Sequence, residues 1–129
     1  MTPEIITYDG YLTYRRLTDE QMAAAQQVAA DSGESLDVQP DWLELTYSGR
    51  DTNRRLVRLL RRLAPIIGDA EGEVVCEIDV EETTPALEFY SIRGGKLLRQ
   101  RGHVVREPAE EVSLDEAPAE AGSKQRLPA

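Results

Sequence analysis

At 129 residues the chain has room for one domain and a single modest core. Its 24 acidic against 15 basic side chains give a formal net charge of −9, which argues against general affinity for nucleic acid or anionic membranes but leaves room for a local basic patch. One cysteine excludes an internal disulfide, and no apolar run approaches the ~20 residues that span a bilayer.

The N-terminus carries acids and no basic, apolar signal pattern, so a soluble cytoplasmic protein is expected. Arginine far outnumbers lysine, which with the small size gives the chain a bacterial character. Residues 1–106 hold 13 basic and 18 acidic side chains, whereas residues 107–129 hold two and six, so the last stretch supplies nearly half of the negative excess.

Residues 4–16, EIITYDGYLTYRR, read as two strand-like runs around Asp9-Gly10, a dipeptide suited to a two-residue hairpin turn. Such a turn sets Tyr8 opposite Tyr11 and Ile6 opposite Thr13. A helix follows with marked ends. Thr18 and Gln21 form a capping box, Asp19 and Glu20 suit the positive end of the helix dipole, Leu17 and Met22 occupy staple positions, and Gly33 ends the helix. Its buried side is thin: Met22, Ala25, Val28 and Ala29. In residues 41–48, DWLELTYS, Leu43, Leu45 and Tyr47 alternate with Trp42, Glu44 and Thr46, the pattern of a half-buried strand.

The stretch Asp51–Ala64 is cleanly two-faced at the helical period. Leu56, Leu59, Leu60 and Leu63 fall on one side; Arg54, Arg55, Arg58, Arg61 and Arg62 fall on the other. Asp51 is the expected N-cap, and Pro65 is expected to end the helix near Ala64. Glu73–Glu81 reads as a strand with Val74, Cys76, Ile78 and Val80 inward and Glu73, Glu77, Asp79 and Glu81 toward water. Thr83-Thr84-Pro85 breaks it. Leu87–Arg101 is a second hairpin about Gly94-Gly95, with Arg93 opposite Lys96, Tyr90 opposite Arg99 and Glu88 opposite Arg101. Leu87, Phe89, Ser91 and Leu98 are assigned to the core. The strand resumes over His103–Arg106 after a bulge at Gly102.

From Glu107 onward aromatic residues vanish, and residues 107–129 are expected to form a disordered acidic tail. Val112 and Leu114, set among the acids of 110–116, leave a docking peptide as the alternative to a solubilising tail. The whole predicts a single α+β domain over 1–106. Its sheet is mainly antiparallel, of about five to six strands in the order ββαβαβββ, with two helices packed on one face.

Five guanidinium groups on one helix face, with Arg50 close by, repel one another unless something compensates. They are either a docking surface for an anion, RNA, DNA or an acidic protein, or a solvated face neutralised by neighbouring acids or the tail. Arg93, Lys96, Arg99 and Arg101 form a second basic group, expected to be spent within the sheet on Glu88, Tyr90, Glu77 and Asp79. Trp42, extended by Tyr8 and Tyr11, marks a contact surface or covers the end of the core.

Cys76 points inward and reads as an inert thiol; one histidine, His103, and one cysteine do not make the usual zinc site. Asp37/Asp41 and Asp79/Glu81/Glu82 lack the spacing of a calcium loop. No phosphate-binding glycine loop and no hydrolase or metalloprotease motif is present. No catalytic residue, metal or cofactor is therefore assigned. The expected function is a non-enzymatic protein-binding or adaptor module. Its partner contacts are Arg50, Arg54, Arg55, Arg58, Arg61, Arg62 and Trp42, docking a charged protein encoded nearby or a second copy of the chain. A nucleic-acid-associated protein gripping phosphates through the same arginines is the alternative, and a small carboxylate enzyme the second. No membrane partner is expected.

Overall fold

A computed structural model describes residues 4–80, 84–103 and 107–112. The stretch around Asp9-Gly10 is one unbroken strand, β1 (Glu4–Tyr14), and it lies inside the sheet. It is followed by α1 (Asp19–Ala30), β2 (Leu36–Val38), β3 (Trp42–Gly49), α2 (Arg55–Ile67), β4 (Ala70–Glu71), β5 (Val74–Val80), β6 (Ala86–Arg93) and β7 (Lys96–His103). The sheet order is β2-β3-β1-β5-β6-β7, with β4 also on β1, and every pairing is antiparallel. The α+β architecture stands. The predicted first hairpin does not, and β2 and β4 are short strands beyond the expected set.

Gly10 explains why β1 does not turn. A β-carbon there would lie 2.4 Å from the Val74 Cα and 2.8 Å from the Glu73 carbonyl oxygen. Glycine serves a close approach of β5, not a reversal of the chain. Strands β4 and β5 hold one register on β1, Thr13 opposite Glu71 and Gly10 opposite Val74, on either side of Gly72. Gly72 has φ +96°, and a β-carbon there would meet the Tyr11 carbonyl oxygen at 2.5 Å.

Helix α1 forms as its sequence dictates. The Gln21 N–H donates to Thr18 Oγ1 at 3.1 Å and the Thr18 N–H donates to Gln21 Oε1 at 2.9 Å, closing the capping box. Ala25, Val28 and Ala29 are buried and Met22 is half-buried. Helix α2 buries Leu56, Leu59, Leu60, Leu63, Ala64 and Ile67. It runs past Pro65 to Ile67: the ring stands on the exposed side, so the Arg61 carbonyl that it leaves without a helical N–H partner faces water. Both helices cover one face of the sheet, against Ile6, Tyr8, Leu12, Leu43, Leu45, Val74, Cys76 and Ile92.

The second hairpin has its predicted register, but its faces are reversed. Glu88, Tyr90 and Ile92 are buried, whereas Leu87, Phe89 and Ser91 are half-buried and Leu98 is 46% exposed. Pairing of Val74 with Tyr90 and Cys76 with Glu88 places those residues beside the buried row of β5. Gly102 lies in the ordinary ladder opposite Leu87. The expected strand at residues 104–106, and the tail beyond residue 112, lie outside the described residues. Residues 107–112 are exposed and outside any strand or helix. No described helix is long and apolar enough to cross a membrane.

Candidate functional site

The start of α2 is built on a buried carboxylate. Asp51 is 5% exposed, and its Oδ2 accepts from the Leu56 N–H at 3.0 Å and from the Tyr8 hydroxyl at 2.7 Å. It anchors the helix across a 3-10 turn, Thr52–Arg54, and is not the residue next to it. Within that turn Asn53 and Arg54 both adopt left-handed backbone, φ 59° and 53°. Asparagine tolerates this region; arginine is rarer there and is held by its partners.

The consequence concerns Arg54, which the helical period places outward. The left-handed pair aims it inward, with Nη1 3.1 Å from Glu88 Oε1. Glu88 is 7% exposed and also accepts from the Tyr90 hydroxyl at 2.5 Å, while Arg101 Nε lies 4.0 Å from its second oxygen. A buried carboxylate on the sheet is thereby paired and hydrogen-bonded, the condition under which such a group is tolerated. Arg54 is engaged within the fold and is withdrawn from the docking surface.

Tyr8, Cys76 and Glu88 are successive cross-strand partners on the helix-facing side. Burial first, then the nearby Glu88 charge, pushes the Cys76 thiol up to about 11, so it is an inert thiol. The strand that ends at His103 is separated from that of Cys76 by β6. Burial and the hydrogen bond to Glu88 push Tyr90 up to about 12, and burial drives Tyr8 and Tyr14 upward as well. These groups keep their protons in the folded chain at pH values where the unfolded chain releases them. Their contribution to stability is therefore full below about pH 8 and falls as pH climbs past 9, by up to ~1.4 kcal/mol per pH unit for each group. Urea unfolding between pH 8 and 11 reads this directly; a midpoint that stays constant over that range contradicts it.

Two more arginines are tied to α1. Arg62 Nη1 lies 3.0 Å from Asp31 Oδ2, and Arg55 Nη1 donates to the Asp31 carbonyl oxygen. Arg58 and Arg61 differ: both are exposed, and neither has a carboxylate within 4 Å among the described residues. Arg50 is also exposed, in the loop before Asp51. Trp42 stands on the opposite, open face of the sheet, stacked on Tyr11 with ring centroids 5.6 Å apart, while Tyr8 is fully buried. Trp42 and the arginines are not one surface.

The second basic group is spent only in part as the sequence suggested: Arg101 meets Glu88 and Arg99 stands opposite Tyr90. Arg99 and Arg101 share the helix-facing side with their partners Tyr90 and Glu88, whereas Glu77 and Asp79 point to the open face and cannot neutralise them. Arg99 stands opposite Tyr90 on the ladder. With Lys96, Leu97 and Tyr90 it faces Val57, Arg61 and Pro65 of α2 across a groove of about 520 Å³. The hairpin register already carried this signal; the reversed face assignment concealed it. Glu73, Glu77 and Asp79 are exposed on the far side of the sheet.

Among the described residues, no three of His, Cys, Asp or Glu gather to hold a metal ion; Glu81 and Glu82 lie outside them. No family model matches the chain, and no solved structure matches it. UvrABC system protein C of Mycobacterium marinum is 32% identical over 104 residues, which make up 80% of this chain. The chain spans 14% of the length of that relative.

Proposed function

We propose that the chain is a non-enzymatic, cytoplasmic protein-binding module that docks an acidic segment of a protein partner through Arg58 and Arg61 of α2, with Lys96 and Arg99 of the adjoining hairpin. One observation carries this reading. In a chain of net charge −9, Arg61, Lys96 and Arg99 line one groove and Arg58 stands exposed one helical turn before Arg61; none of the four has a carboxylate within 4 Å among the described residues, although Arg54, Arg62 and Arg101 each have one. Such a patch orients and selects an acidic partner. The exposed acids Glu73, Glu77 and Asp79 of a second copy offer the same chemistry. The relative's name designates one component of a multi-part system, and the matched stretch has the size of one domain, which suits a part that works by attachment.

The test is recovery of partners from cell extract by the wild-type chain and by Arg58→Glu, Arg61→Glu. The double variant is expected to keep its circular dichroism spectrum, since both side chains are exposed, and to lose the acidic partner. Unchanged recovery contradicts the reading. Binding of labelled RNA or DNA that weakens steeply with salt replaces the protein partner by phosphates.

A further inference from the structure

Strand β7 ends the sheet. One side pairs with β6, and no strand among the described residues meets the other. Gly94 and Gly95, at φ 59° and 75°, make a two-residue turn, so Arg93 and Lys96 form a hydrogen-bonded pair. Alternation along the ladder then turns the N–H and C=O groups of Leu97, Arg99 and Arg101 away from β6. Among the described residues nothing outside the ladder bonds to them. Leu97 and Arg99 also line the groove beside α2, opposite Val57 and Arg61.

A strand laid along this edge bonds to those backbone groups and drops every second side chain into the groove. The walls specify what fits: apolar surface from Val57 and Leu97, positive charge from Arg61, Lys96 and Arg99. Edges are commonly guarded by charge. Here the guard is wholly cationic, so two copies of β7 repel each other while an acidic strand is admitted. The opposite edge, β2, has three residues and offers little to pair with. The chain's own Glu107, Glu110 and Glu111 stand exposed outside any strand, which favours a partner's segment over this one.

We infer that β7 accepts an extended acidic peptide of a partner protein as an added strand, its alternate carboxylates meeting Arg61 and Arg99. This rests on the docking reading above and gives the bound segment its conformation. The test follows backbone amide exchange by NMR in the full chain, with an eight-residue capped peptide of alternating Glu and Val. Saturating peptide is expected to slow exchange at Leu97, Arg99 and Arg101 by about tenfold or more and to leave Leu98 and Gln100 unchanged. A peptide of alternating Lys and Val is expected to do nothing, and Arg61→Glu with Arg99→Glu to abolish the effect. Binding that shifts Arg58 and Arg61 but leaves the β7 amides exchanging overturns strand addition and spares the docking reading. No binding at low salt overturns both. Amides already slowed before peptide is added assign the edge to the chain's own segment and overturn the partner.

Discussion

Replacing Asp51 by alanine is expected to lower the stability of the chain by about 3 kcal/mol, because it strands two buried donors at once. The Leu56 N–H at the first turn of α2 and the Tyr8 hydroxyl both donate to one oxygen of this carboxylate. Tyr8 has no exposure at all and Leu56 is 1% exposed, so no water replaces the lost acceptor without opening the core. Asp51→Asn retains an acceptor oxygen and is expected to cost about 1 kcal/mol. Tyr8→Phe removes only one donor and should fall between them. Urea unfolding with an unchanged m-value is the measurement. A loss below about 1 kcal/mol for the alanine variant contradicts the anchoring role.

Gly10→Ala is expected to cost a similar amount, about 3 kcal/mol, for a different reason. The new methyl would meet the Val74 Cα at 2.4 Å, and backbone held in the middle of a ladder yields less readily than a side-chain end. Strand β1 pairs with β3 on one side and β5 on the other, so shifting it disturbs both ladders. Gly94→Ala is the control. Its added methyl meets nothing within 4 Å, and only the left-handed backbone at φ 59° is penalised, by about 1 kcal/mol. Equal losses at the two glycines contradict the close approach of β5.

These residues also show which parts of the molecule are legible in the sequence. Helix α1 is readable because its determinants are local: Thr18 and Gln21 cap it whatever it packs against. The leucine stripe of α2 is readable because burial follows the helical period. Strand β1 is misread because Asp9-Gly10 is a strong local turn signal that long-range pairing overrides; the neighbour that demands a glycine, Val74, lies far along the chain.

The second hairpin keeps its register, set by Gly94-Gly95, yet reverses its faces. Apolar Leu87 and Phe89 are the better core side by hydropathy alone, but Glu88 meets Arg54, 34 residues away in sequence. Arg54 is itself misplaced by the helical period because the chain enters α2 through left-handed Asn53 and Arg54, a feature no periodicity reports. The candidate site suffers from the same two errors. Five arginines share a helical face in the sequence, but the fold withdraws Arg54, Arg55 and Arg62 and brings Lys96 and Arg99 beside Arg61, with Arg58 exposed one turn earlier on α2.

The most direct test of the docking face is calorimetric titration of a poly-glutamate peptide into the full chain and into Arg58→Glu, Arg61→Glu, at low and at physiological salt. Saturable binding by the wild type, weakened by salt and lost in the double variant, is the expected result. Equal binding by both proteins, or none by the wild type at low salt, contradicts it.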